Sequence, residues 1–92
     1  MSAALDSESR PAVERRFRLQ FEPAQGTHVL LYPEGMIKLN SSAGEILKRC
    51  NGSATLGEIV AELERAFATA GLEPQVRAFL EQALAKGWVV LA

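Results

Sequence analysis

The sequence predicts an α+β domain in which a small three-stranded antiparallel sheet is followed by a three-helix bundle. Apolar and polar residues alternate over residues 17–21, as they do along a strand with one buried face. From Asn40 onward, apolar residues recur every three or four positions, which is the spacing of amphipathic helices. All strand-like segments precede all helix-like ones, and this order is typical of helices packed on one face of an antiparallel sheet.

Length and charge restrict the class of protein further. The chain has 92 residues, so we expect one domain close to the lower size limit for a self-sufficient core. Ten Lys and Arg against eleven Asp and Glu give a formal net charge of -1, without the positive field that nucleic-acid-binding proteins direct at phosphates. No apolar run approaches the roughly 20 residues of a membrane helix, and the first residues lack a signal-peptide pattern. We therefore expect a cytoplasmic protein that does not enter a membrane.

The chain divides at a change of pattern after Arg16. Residues 1–16 are rich in Ser, Ala and charge without a sustained period, which predicts a flexible N-terminal arm. Residues 17–92 then form the folded domain. Its three predicted strands, joined by short turns as an antiparallel meander, are Phe17–Phe21, His28–Tyr32 and Met36–Leu39.

Two capping boxes mark the first two predicted helices. Ser42 and Glu45 have the spacing at which a hydroxyl and a carboxylate bind each other's backbone N–H groups, and so do Thr55 and Glu58. Cys50 falls on the apolar stripe of the first helix, so we expect it to be buried and unreactive. The apolar stripe of the second helix comprises Leu56, Ile59, Val60, Leu63 and Phe67.

Glycines and a proline bound the remaining elements. Gly71 is expected to close the second helix. Pro74 suits the first turn of a third helix that ends at Lys86, just before Gly87. The apolar tail Trp88–Leu91 then packs on the core.

Few residues in this chain are suited to catalysis. The single cysteine cannot form an internal disulfide, and one Cys with one His cannot make a zinc site from those ligands alone. His28 has no nucleophile or second histidine near it in sequence, and there is no phosphate-binding or dinucleotide-binding glycine motif. We therefore expect a protein that is not an enzyme and that carries neither metal nor cofactor.

A three-stranded sheet beside three helices is typical of winged-helix-like domains, many of which read DNA with a recognition helix. Here that helix would be the third, which carries Arg77 and Lys86 but also Glu81 and so lacks a basic face. Nucleic-acid binding is thus the weaker alternative. The unpaired edge of a short meander can instead bind an extended peptide as an added strand.

The segment from Arg18 to Leu47 closely resembles the PqqD family of pyrroloquinoline quinone biosynthesis, and so do Gly52, residues 55–59 and the ending from Phe79 to Trp88. The resemblance implies a winged-helix-like peptide chaperone, a recognition element for ribosomally made and modified peptides. Such proteins bind the precursor peptide PqqA and present it to the radical-SAM enzyme PqqE, which holds the iron–sulfur clusters.

The resemblance also implies where the precursor binds, namely as a strand against the third strand, in a groove walled by the third helix. The implied contact residues are Met36, Ile37, Lys38, Leu39, Asn40, Arg77, Leu80, Glu81 and Leu84. For some of them a structural role is an alternative. Leu80 and Leu84 also lie on the stripe expected in the core, Lys38 can be a solvated strand residue, and Arg77 and Glu81 have the spacing of a surface ion pair. The exposed edge further predicts a strand-mediated homodimer.

Overall fold

The computed structural model of the chain describes residues 5–92 and contains five strands and three helices. In chain order these are β1 (Pro11–Val13), β2 (Arg18–Glu22), β3 (Thr27–Tyr32), β4 (Gly35–Lys38), α1 (Ser41–Leu47), α2 (Leu56–Ala66), α3 (Glu73–Ala85) and β5 (Val89–Leu91). Strands β2, β3 and β4 form one antiparallel sheet in that order, and β1 pairs with β5 in a separate antiparallel ribbon. The predicted class, with three meander strands followed by three helices, is confirmed.

The three-stranded sheet packs one face on the helices. Leu30 in β3 is fully buried, and its cross-strand neighbours on the same face are Leu19 and Ile37, which both pack against the core. Leu39, just after β4, is buried on this face as well. Apolar residues from all three helices complete the core: Ala43, Ile46, Leu47, Leu56, Ile59, Val60, Leu63, Val76, Leu80 and Ala83.

The N-terminal region differs from the expected arm. Pro11–Val13 form a strand whose register pairs Pro11 with Leu91, and Leu5 is buried in the core. Both interactions join residues that are far apart in sequence, so no local pattern indicates them. Part of the predicted arm, residues 1–4, lies outside the described residues.

The two predicted capping boxes have different outcomes. Thr55 and Glu58 form theirs, with the Glu58 N–H bound to Thr55 Oγ1 and the Thr55 N–H to the Glu58 carboxylate. The box at Ser42 and Glu45 is wrong. Asn40 caps α1 instead, its Oδ1 accepting from the Ala43 N–H at 2.7 Å, so the helix begins at Ser41.

Two helix ends also differ from the prediction. Helix α2 stops at Ala66, and Phe67 at its C-cap is 52% exposed where the apolar stripe predicted burial. Cys50 lies after the end of α1 and not on it, but it is buried as expected. Pro74 does lie in the first turn of α3.

No helix within residues 5–92 is long and apolar enough to cross a membrane. The same part of the chain has no cluster of three or more His, Cys, Asp or Glu side chains arranged to hold a metal ion.

Candidate peptide-binding site

The outer edge of β4 has no strand partner among residues 5–92, because β4 is the last strand of its sheet. On its inner side, Leu39 donates its N–H to the His28 carbonyl at 3.1 Å and accepts from the Thr27 hydroxyl at 2.6 Å. Backbone groups alternate in direction along an antiparallel strand. Ile37 therefore also points its N–H towards β3, whereas Met36 and Lys38 point theirs outwards.

The side chains of the five predicted strand residues have three different environments. Ile37 packs against the core and Leu39 is buried in it. Met36 (47% exposed) and Lys38 lie on the opposite, outer face. Asn40 follows the strand, and its side chain caps α1.

The predicted residues of α3 differ in burial and in their hydrogen bonds. Leu80 is fully buried, and Leu84 is half-buried against the core. Arg77 donates to the Leu5 backbone carbonyl and pairs with Glu73 at 2.6 Å, so its guanidinium is already occupied. Glu81 is exposed and does not pair with Arg77.

A cleft of about 390 Å³ lies between α1 and α3, next to the point where the chain leaves β4. Ser41 and Ser42 line it on the α1 side, and Gln75 and Phe79 line it on the α3 side. The exposed ring of Phe67, at the C-terminal end of α2, also lines the cleft. We call Gln75 and Phe79 the cleft flank of α3. A larger depression of about 470 Å³ involves α1 and α2 but no residue of α3, and neither it nor the cleft is lined by a residue of β4.

The cleft flank was missed in the sequence because helical periodicity separates buried from exposed positions but does not tell the two borders of the buried stripe apart. Phe79 follows the apolar spacing of α3, which predicts a core residue, and it does pack against the core as a partly buried side chain. The only available signal was that its neighbour four residues earlier, Gln75, is polar, which places both at a border of the stripe.

Charge near this edge is low. Lys38 forms no ion pair within the described chain, and the first turn of α1 contains no acidic residue. Further along α1, Arg49 donates a hydrogen bond to Glu45 and so keeps the pKa of that carboxyl below its usual range, although partial burial opposes the shift. The surface offered by the edge and the cleft is thus mainly backbone and apolar side chain, with one cation, Lys38, on the strand and one carboxylate, Glu45, lining the cleft.

The family model for PqqD, coenzyme PQQ synthesis protein D, matches residues 27–89. The chain belongs to the PqqD family. A relative named PqqA binding protein, from Pseudomonas aeruginosa strain UCBPP-PA14, is 53% identical over 85 residues, covering 91% of this chain and 92% of the relative.

Two solved structures are similar to the chain. The solution structure of the PqqD truncation of Methylobacterium extorquens PqqCD, described as a functional and stand-alone RiPP recognition element, has a TM-score of 0.73. It is 28% identical, with 87% of each chain covered. The heterocyclase TruD shares the fold with a TM-score of 0.69 at 22% identity, over 91% of this chain and 12% of the heterocyclase.

Proposed function

We propose that the chain is a cytoplasmic peptide-binding adaptor of pyrroloquinoline quinone biosynthesis, which binds the precursor peptide PqqA and presents it to the radical-SAM enzyme PqqE. The observation that carries the proposal is the unpaired outer edge of β4, and the chain that leaves this strand reaches the cleft between α1 and α3 at Ser41. We take the identity of the peptide from the name of a relative that is 53% identical to this chain, PqqA binding protein. Nothing in the proposal requires bond chemistry from this chain.

In this proposal the precursor adds as a fourth strand. Its backbone pairs with the outward N–H and C=O groups of Met36 and Lys38, which gives affinity without sequence specificity. Its inward side chains contact Ile37, and the chain beyond continues into the cleft along Phe79. We assign the helical wall to the cleft flank because Leu80 is buried and Arg77 is bound elsewhere.

The adaptor acts by raising the effective concentration of the precursor beside the enzyme. A peptide held beside the enzyme reacts as a tethered substrate, and effective concentrations for short flexible linkers are on the order of mM. The bound precursor has also lost part of its conformational freedom, which lowers the entropy cost when the enzyme engages it.

Proline substitution on the two free edges of the sheet tests the binding mode. Met36→Pro and Lys38→Pro each remove an outward N–H without touching the ladder to β3, so both variants should fold, as proline on an edge strand permits. Each should weaken binding of labelled PqqA about tenfold or more, because a backbone bond is lost and the ring obstructs the edge. The matched control is Phe21→Pro, which removes an outward N–H from the opposite edge strand β2 and should bind normally.

Fluorescence anisotropy with labelled PqqA, with and without PqqE, measures these affinities. Binding retained or strengthened in the presence of PqqE supports presentation. Folded proline variants of β4 that bind like the unmodified chain refute strand addition at this edge. A labelled DNA duplex in the same assay tests the winged-helix alternative.

The same edge can pair with a second copy of the chain, so we propose a weak strand-mediated homodimer that competes with the peptide. Light scattering over a concentration series should show dimer that PqqA dissociates. A monomer at every concentration refutes the dimer and leaves the adaptor proposal intact.

A further inference from the structure

The segment Leu5–Ser9, which we call the strap, crosses the beginning of α2. The Ser9 carbonyl accepts from the Leu56 N–H at 2.7 Å, and the Ser7 carbonyl accepts from the Gly57 N–H at 3.0 Å. These are the first two N–H groups of α2, which have no partner inside the helix. The strap therefore completes the N-terminus of α2 with its own backbone.

The strap is also fixed to α3. Leu5 is 5% exposed within the core, and its carbonyl accepts a hydrogen bond from the Arg77 guanidinium. Glu73, one turn earlier in α3, holds the same guanidinium at 2.6 Å. Hydrogen bonds between Asp6 and Ser9 close the strap into a turn, so its two anchored ends keep a fixed spacing.

Arg77 and the cleft flank project from opposite sides of α3. Arg77 is two residues from both Gln75 and Phe79, and at about 100° per residue its side chain points about 160° away from theirs. A rotation of α3 that releases Arg77 from the strap thus moves Phe79 relative to the cleft. The side of α3 that binds the strap and the side that lines the cleft belong to the same helix, so they move together.

We infer that the strap positions the wall of the peptide-binding groove and that Arg77 is the positioning residue that transmits its hold to α3. The inference rests on the proposed function, because its readout is binding of the precursor. It assigns Arg77 a role without contact to the peptide. When the strap is released, the first two N–H groups of α2 bind water and α3 loses its hydrogen bond to the strap. The wall of the groove then has to be ordered when the peptide binds, and this cost lowers the affinity for the peptide.

The experiment compares full-length variants by precursor affinity and by amide hydrogen exchange. Arg77→Met removes the donor to the strap, and Leu5→Ala removes its buried anchor. Glu73→Gln is the matched control, because it breaks only the ion pair and leaves the bond to the strap. Exchange at the Leu56 and Gly57 amides reports whether the strap is bound. Circular dichroism defines a temperature at which every variant is folded.

We expect Arg77→Met and Leu5→Ala to expose both amides and to bind PqqA about two- to tenfold more weakly, the range in which changes away from a site usually act. The double variant, with Arg77→Met and Leu5→Ala together, should have the same affinity for PqqA as the single variant that binds less tightly, because both changes release the same strap. Arg77→Lys, which keeps a donor, should recover part of the affinity. Glu73→Gln should bind like the unmodified chain.

Three results overturn the inference. Unchanged affinity in a variant with exposed amides shows that the strap does not position the groove. Additive losses in the double variant show that Arg77 and Leu5 act independently and not through one strap. Protected amides in both single variants show that neither residue holds the strap. If the unmodified chain itself does not bind PqqA, the proposed function fails instead.

Discussion

Gly44 lies in α1 against the imidazole of His28, and this contact leaves no room for a methyl group. A Cβ at this position would lie 2.7 Å from His28 Nδ1, 3.0 Å from its Cβ and 3.1 Å from its Cγ. The crowding involves the base of the ring, so the side chain cannot swing clear. Gly44→Ala must therefore push α1 away from β3 or displace His28 from its edge-on contact with Phe21.

Two opposing terms set the size of the effect. Alanine is favoured over glycine inside a helix by about 1 kcal/mol. Overpacking a filled core site costs about 1–3 kcal/mol. We expect Gly44→Ala to lower the free energy of unfolding by about 1 kcal/mol, which corresponds to a fall in Tm of about 4–8 °C for a domain of this size.

Urea unfolding followed by circular dichroism measures this change. The control is Gly57→Ala in α2, where the nearest atom to a new Cβ is the Ser7 carbonyl oxygen at 3.4 Å, so stability should be unchanged or slightly raised. In a His28→Ala background, Gly44→Ala should cost less because the ring is gone. A Gly44→Ala variant as resistant to urea as the unmodified chain would refute the steric argument.

Three further predictions concern single side chains. Burial raises the pKa of Cys50 to about 12, so at about pH 8 a thiol reagent should react only as fast as the chain unfolds, and rapid labelling of folded protein would contradict this. Thr55→Ala should lower the free energy of unfolding in urea by about 1 kcal/mol while Thr55→Ser retains it, and equal losses would argue against the cap. The hydrogen bond from Arg49 lowers the pKa of Glu45 in the folded state, so its stabilisation is present above the ordinary carboxyl pKa and is lost as the pH falls. Urea midpoints at pH 7 and about pH 3 should therefore differ less for Glu45→Gln than for the unmodified chain, and an equal difference would exclude the linkage.

Features that depend on near neighbours in sequence were predictable. Strand β2, the turn between β3 and β4 and the capping box of Thr55 and Glu58 all follow from contacts a few residues apart, although Phe21 on the predicted inner face of β2 is 51% exposed. The box at Ser42 failed because a competing cap, Asn40, lies two residues earlier and starts the helix first.

The parts that could not be predicted depend on long-range pairings. The bond from Arg77 to Leu5 joins residues 72 positions apart, and periodicity cannot reveal it. The direction of the β4 backbone follows from its pairing with His28, so Met36 and Lys38 could not be distinguished from Ile37 as outward donors beforehand. Strand β4 could be predicted as the candidate peptide edge, while its backbone orientation and the cleft flank required the structure.

The pairing of β1 with β5 joins the first and last strands of the fold, with Pro11 beside Leu91. The ribbon that they form is separate from the sheet containing β4. Each strand of the ribbon is the other's one strand partner within the described residues, so losing either leaves the other unpaired while the sheet that offers the candidate edge keeps its own strand pairs.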